Sequence, residues 1–182
     1  MKWKAGIPVH IRTETKEELA EVFRLHYEAF GKRENESRLA ERIRHSSGFI
    51  PELSLVAELD GKVVGHVLIS KAEVIEPVTD NRAEVLVLAP IGVHPDYQQQ
   101  GVGGKLIQAG FEKSRALGYS HIFLIGHPSY YPRFGFRPAK PLGFELKQFP
   151  VPENVFMVYE LQSEGSTQPI RGELRYPQAF MG

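Results

Sequence analysis

Between Val93 and Gly104 the chain reads Val93-His94-Pro95-Asp96-Tyr97-Gln98-Gln99-Gln100-Gly101-Val102-Gly103-Gly104. This is an apolar strand that breaks into a glycine-rich turn and continues as a helix. No other segment constrains the fold as tightly, because a strand feeding directly into a helix fixes the local order of layers. Glycines at such a junction remove the Cβ atoms that would hold a ligand off the backbone. The free amides of the first helical turn then converge where the helix dipole is positive, a setting suited to a pyrophosphate.

The rest of the chain supplies a sheet for that junction to sit on. Ile7 to Thr13 alternates apolar and polar residues, as a strand does. Thr15 and Glu18 form a capping box, and Leu19, Val22, Phe23, Tyr27 and Phe30 recur at helical spacing. A second, charged helix is expected from about Glu36 to Arg44, with Leu39 and Ile43 inward. Asp60-Gly61 between two apolar alternations predicts a hairpin of Leu53–Leu59 with Lys62–Val74. Glu84 to Val93 is nearly continuous in apolar residues, yet Pro90 cannot donate to a ladder, so the strand is expected to bulge near Ala89 to Gly92.

Val102 to Leu117 reads as the best-formed helix, with Gly118 placed for a left-handed cap, and Ile122 to Ile125 as a short buried strand. Strand, helix, strand at this spacing predicts a parallel crossover that pairs the strand near Val93 with the one near Leu124. Further strands are expected at Phe144–Leu146, Val155–Leu161 and Gly172–Tyr176, with a polar loop at Gln162–Gln168. The expected fold class is α/β (α+β). It has a mixed, mostly antiparallel sheet flanked by helices, a parallel splayed strand pair at its centre and a C-terminal β extension. Residues 1–140 would form the core, and 141–182 would complete the same single domain.

Composition removes several chemistries. With 182 residues the chain can bury roughly 70% of its unfolded surface. The formal net charge is zero with both signs interspersed, which gives no nucleic-acid or membrane footprint. Cysteine is absent, so disulfides, thiolate metal sites and acyl-cysteine intermediates are excluded. The seven histidines show no metal-ligand spacing, so no metal is expected. The amino terminus carries no apolar run behind its charges and no segment approaches the length of a membrane span, so a cytoplasmic protein is expected. Whether it forms a homodimer stays open.

The glycine turn does not fit the dinucleotide fingerprint, because Gln98-Gln99-Gln100 stands where that pattern wants its first glycine. Nor is it a nucleotide P-loop, since no Ser or Thr follows Lys105. The remaining pattern, Gln98-x-x-Gly101-x-Gly103, resembles the Gln/Arg-x-x-Gly-x-Gly/Ala signature of the GCN5-related N-acetyltransferase (GNAT) superfamily. Leu88-Ala89-Pro90-Ile91-Gly92-Val93-His94-Pro95, together with Gly126-His127-Pro128-Ser129-Tyr130-Tyr131-Pro132-Arg133-Phe134-Gly135-Phe136, is similar to the subgroup often called YhbS-like.

That resemblance implies acetyl-CoA as co-substrate, a small-molecule or peptide amine as acceptor, and direct attack of the amine on the thioester in a ternary complex. Gln98, Gln99, Gln100, Gly101, Val102, Gly103 and Gly104 would cradle the pyrophosphate, while Ile91, Gly92 and Val93 would pair with the pantetheine arm. Tyr131, four residues before Gly135, takes the position of the family's general acid. A phenol with pKa about 10 keeps its proton at neutral pH and can give it to a departing thiolate. Glu84 is the candidate carboxylate base. Glu28, His66 and His127 are read chiefly as surface or structural residues, as is Tyr130. A non-catalytic acyl-CoA-binding sensor or interaction module on the same fold is the alternative, because fold does not establish turnover.

Overall fold

The computed structural model describes residues 6–161 and 169–182; the polar stretch Gln162–Gln168 lies outside the described residues. Strands β1 (His10–Thr13), β2 (Ser54–Leu59), β3 (Lys62–Ile75), β4 (Arg82–Val93), β5 (His121–Ile125), β6 (Arg137–Pro138), β7 (Phe144–Glu145), β8 (Phe156–Glu160) and β9 (Gly172–Arg175) share one sheet. The helices are α1 (Leu19–Ala29), α2 (Asn35–Arg44) and α3 (Val102–Ala116). The sheet order is β1-β2-β3-β4-β5-β8-β6. In addition β9 runs antiparallel along the far half of β3 and parallel to β7.

The local reasons are those the residue pattern predicts. Asp60 and Gly61 both have positive φ (49° and 78°), the geometry of a two-residue hairpin turn, and β2 pairs antiparallel with β3 across it. The Thr15–Glu18 capping box forms, although the turn it opens is a 3-10 turn over Lys16–Glu18 that precedes α1. In α2 the buried positions are Ser37, Ala40 and Ile43, and Leu39 is half-buried. Pairing of β1 starts only at His10. The carbonyl of Ile7 instead accepts from Lys105 Nζ at 2.7 Å, so Ile7 to Val9 runs beside α3 rather than in the sheet.

Neighbouring residues of β2 show that the two faces carry different helices. Leu55 and Ala57 pack with Val102, Leu106, Ile107 and Phe111 of α3, whereas Val56 packs with Val22 and Leu25 of α1. A separate cluster joins Val74, Val85 and Val87 to Phe123, Phe144, Phe156 and Leu174. It buries the C-terminal strands against the same sheet.

β4 and β5 form the expected parallel pair, confined to Leu86 with Ile122 and Val87 with Phe123. Beyond Val87 the register of β4 on β3 slips, so that Ala89 and Pro90 stand opposite Leu68 alone, between the Ile69–Leu88 and Val67–Ile91 pairs. The bulge turns the end of β4 away from β5, and the two strands splay toward the glycine turn.

Candidate functional site

The backbone of β4 presents two different edges to its neighbours. His94 N–H donates to Val64 C=O at 2.9 Å. In an antiparallel pair such bonded positions alternate, so Gly92 exchanges its bonds with His66, while the N–H and C=O groups of Ile91 and Val93 point away from β3. They face the opening left by β5. Gln98 Nε2 donates to Val93 C=O at 3.0 Å, which ties the glycine turn to this edge.

The turn itself is compact. Pro95–Tyr97 makes one 3-10 turn whose cap, His94 Nδ1, accepts from Asp96 N–H at 3.2 Å. Gln99 has φ 61°, and Gln100 Nε2 donates to Asp96 C=O at 3.3 Å. Gly101 caps α3 with φ 83°, a conformation that disfavours any side chain. Lys105 N–H bonds Gly101 C=O at 3.1 Å, so the amides of Val102, Gly103 and Gly104 are the unpaired donors of the first helical turn.

Gly103 and Gly104 have a further reason to lack side chains. A Cβ on Gly103 would stand 2.7 Å from the hydroxyl of Tyr130, and one on Gly104 would meet the ring of Phe134 at 3.0 Å. The segment after β5 therefore docks its aromatic residues straight onto the first turn of α3. Tyr130, read from sequence as packing alone, reaches this turn with its hydroxyl.

Tyr131 opens a 3-10 turn, Tyr131–Phe134, that Pro132 and the left-handed Gly135 hold to a single turn. Its ring lies against Gly126, just past β5, and edge-on to Tyr130 and Phe136 at centroid distances of 5.0 and 5.8 Å. Burial, with a smaller contribution from Tyr130, pushes the Tyr131 phenol up to about 12. Burial also raises Tyr130. Both phenols are held as proton donors at neutral pH.

Glu84 does not join these residues. It is exposed and accepts from the Tyr119 hydroxyl at 2.7 Å, with Lys71 Nζ 3.6 Å away. Seven positions separate it from Ile91, about 23 Å at the usual strand rise. The paired Leu86–Val87 segment lies between. Glu28 lines a cleft of about 310 Å³ beside Glu21, Arg24, Lys62, His94 and Tyr97. His127 is exposed and bonds Ser129 at 3.1 Å.

His66 is fully buried, and sequence spacing gave no sign of its partners. Its Nδ1 lies 2.8 Å from His26 Nε2, and its Nε2 lies 2.9 Å from Ser54 Oγ and 3.4 Å from Glu14 Oε2. Arg44 grips the same carboxylate through Nε and Nη2, each at 2.9 Å. Burial works against the Glu14 charge, but bonds from His66 and Arg44 overcome it and hold the carboxyl down at about 2. Burial lowers both histidines. Arg44 adds to this at both, the neighbouring His66 adds to it at His26, and Glu14 opposes it. Among the described residues no group of three or more histidine or carboxylate side chains is placed to hold a metal ion, and no helix is long and apolar enough to cross a membrane.

A splayed parallel strand pair that opens onto a glycine-capped helix is found here together with a family match: residues 10–139 fit the model of the acetyltransferase (GNAT) domain. The chain belongs to the GNAT family. It is 41% identical over 118 residues to YjhQ of Escherichia coli K12, named an uncharacterized N-acetyltransferase, a match covering 62% of this chain and 61% of that protein. The chain thus spans about three fifths of the length of that relative. The crystal structure of Escherichia coli YhbS, a GNAT family N-acetyltransferase in complex with CoA, superposes with a TM-score of 0.82. That match covers 100% of this GNAT chain and 96% of YhbS at 24% identity, a likeness of fold. A GNAT family acetyltransferase from Brucella melitensis in complex with acetyl-CoA matches with a TM-score of 0.74 and 29% identity, covering 94% of this chain and 97% of that one.

Proposed function

We propose that the chain is an acetyl-CoA-dependent N-acetyltransferase, in which a primary amine of a small molecule or peptide attacks the thioester directly within a ternary complex. The observation that carries this reading is the outward edge of β4: the N–H groups of Ile91 and Val93 face the splay, and the unpaired amides of Val102 to Gly104 follow after the turn that Gln98 ties to Val93 C=O. An extended amide-bearing arm pairs with such an edge as an added strand would. A pyrophosphate at its end then meets the helix N-terminus. Pantetheine joined to a pyrophosphate is the part of coenzyme A with that shape.

On this reading Ile91, Gly92 and Val93 carry the pantetheine, and the turn from Gln98 to Gly104 carries the pyrophosphate. A freed amide of the bulged strand holds the developing oxyanion. Tyr131 gives its proton to the departing thiolate; burial keeps the phenol protonated at neutral pH until that step. Glu84, engaged by Tyr119 at the other end of β4, takes no part in the chemistry. The pairing of β9 with β3 supports reading the C-terminal strands as completing the same domain as the core.

The test combines two measurements on the intact protein. Calorimetry with CoA should give saturable binding, and acetyl-CoA with a panel of amines should release free thiol. Binding without thiol release from any amine would leave a coenzyme-binding module and remove the enzymatic claim. Absence of binding would remove both.

A further inference from the structure

The buried chain Arg44, Glu14, His66, His26 ends on an atom with nothing to bond: His26 Nδ1 is buried and has no hydrogen-bond partner. We infer that this nitrogen accepts the proton of the attacking amine, with His66 and Glu14 as positioning residues that hold the His26 ring in the tautomer leaving Nδ1 bare. The inference rests on the acetyltransferase reading above and supplies the base that Glu84 does not.

The tautomers follow from proton counting. Glu14 is held ionised by two bonds from Arg44, so it can only accept. His66 Nε2, facing Glu14 Oε2 and Ser54 Oγ, therefore carries its proton, and neutral His66 offers a lone pair at Nδ1. His26 Nε2, 2.8 Å away, donates to that lone pair. One proton per neutral ring leaves His26 Nδ1 as a free base. A buried acceptor left unmet costs roughly 1–3 kcal/mol, so a fold that orders four side chains toward it is expected to use it.

The direction of that lone pair matters. Gly92 faces α1, and a Cβ there would stand 2.7 Å from His26 Nδ1 and 3.4 Å from the ring of Phe30. No side chain intervenes between the imidazole and β4 at the residue between Ile91 and Val93. The side chains of Ile91 and Val93 pack with the α3 cluster on the opposite face. An amine attacking the thioester from the α1 face would approach β4 on the side that carries His26, at Gly92, two residues past the Ala89–Pro90 bulge.

In the proposed step the amine lone pair forms the C–N bond, its N–H proton passes to His26 Nδ1, the C–S bond breaks, and sulfur takes the phenolic proton of Tyr131. The imidazolium proton leaves to solvent and the phenolate regains one, so amine and thioester become amide and free thiol with no other reactant. The groups facing His26 are His66 from β3, Glu14 after β1, Ser54 from β2 and Arg44 from α2, while Phe30 stacks on its ring. Glu14 compensates the imidazolium through His66. Burial keeps His26 well below its ordinary pKa, so it is unprotonated and ready at neutral pH.

The decisive variant is His26→Gln, whose amide nitrogen can keep the bond to His66 while the Nδ1 lone pair is lost. With folding checked by melting, kcat should fall about 10²- to 10⁴-fold with CoA affinity within twofold of wild type. Wild-type kcat should stay flat with pH down to below 6.5, whereas the variant's kcat should climb with pH as hydroxide replaces the base. An unchanged kcat and profile in folded His26→Gln would overturn the inference while the wild-type thiol release still supports the acetyltransferase. If the variant does not fold, nitrogen NMR of the wild-type imidazoles decides. A proton on His26 Nε2 with Nδ1 bare agrees with the proposal, and a proton on Nδ1 overturns it. Loss of CoA binding or thiol release in the wild type would instead remove the parent reading.

Discussion

The two faces of the central sheet are built on opposite principles. On the α3 face, Leu55, Ala57, Val67, Leu106, Ile107 and Phe111 form an apolar core, and helix and sheet meet through close contacts. On the α1 face an ion pair, a serine and two histidines are buried together beside Val22 and Val56. Apolar burial is non-directional and tolerates many residue combinations. A buried polar chain is directional and depends on which partner each group is given. The contrast shows which face can be altered for stability alone: the two meet at Gly92, where the backbone of β4 separates His26 from the α3 side.

The largest expected effect lies on the α3 side and is kinetic. Tyr131→Phe deletes only the hydroxyl and should lower kcat about 10²- to 10⁴-fold with little change in acetyl-CoA affinity. Tyr130→Phe should cost less than tenfold in kcat. A larger loss at Tyr130, with equal melting temperatures, would mean that the hydroxyl over Gly103 is the working one.

Next come two substitutions that compare the faces directly. Leu106→Ala should cost about 2–5 kcal/mol by leaving a cavity, equally at pH 7 and pH 5. Glu14→Gln strands the buried Arg44 charge and should cost about 3–5 kcal/mol at pH 7. Denaturant titrations read both. If Glu14→Gln is neutral, the polar chain is not the integral part of the α1 face described here.

A smaller effect is read from pH. His26 and His66 are neutral when folded and gain protons near pH 6.5 when unfolded, so the unfolded state binds more protons and wild-type stability should decline as pH falls below 6.5. Glu14, depressed to about 2, contributes fully above 4.5 and loses its contribution as pH falls from there toward 2. Between pH 6.5 and 4.5 His26 and His66 act together with His121, which burial also lowers. His26→Gln should reduce the slope there by up to about 1.4 kcal/mol per pH unit, one proton's worth. An unaltered slope would show that His26 does not resist protonation in the fold. The smallest effect belongs to Glu84→Gln, whose rate should stay within twofold of wild type at every pH.

The sequence made the junction legible because its signals are local. Pro90 announced the bulge, Asp60-Gly61 the hairpin, and Gly118 the end of α3, each through a backbone requirement carried by the residue itself. The purpose of Gly103 and Gly104 was only half legible. A glycine that admits a phosphate and one that admits the tyrosine of a later segment look alike in sequence, so Gly103→Val would strike Tyr130 as well as any ligand. The surroundings of Glu84 were not legible either: pairing of β4 with β5 lies at Leu86 and Val87, with Glu84 on the far side of that pairing from Ile91. The chain through Glu14, His26, Arg44 and His66 was hidden because its members come from three elements and the loop after β1, and no spacing along the chain links them.

The central claim is that the outward edge of β4 is the coenzyme's strand partner, and amide hydrogen exchange tests it residue by residue. Adding CoA should slow exchange at Ile91 and Val93, whose N–H groups face the splay. The Gly92 amide, already bonded to His66 across the β3 ladder, should keep its rate. Protection confined to other parts of the molecule, with Ile91 and Val93 exchanging as fast as without CoA, would contradict the account.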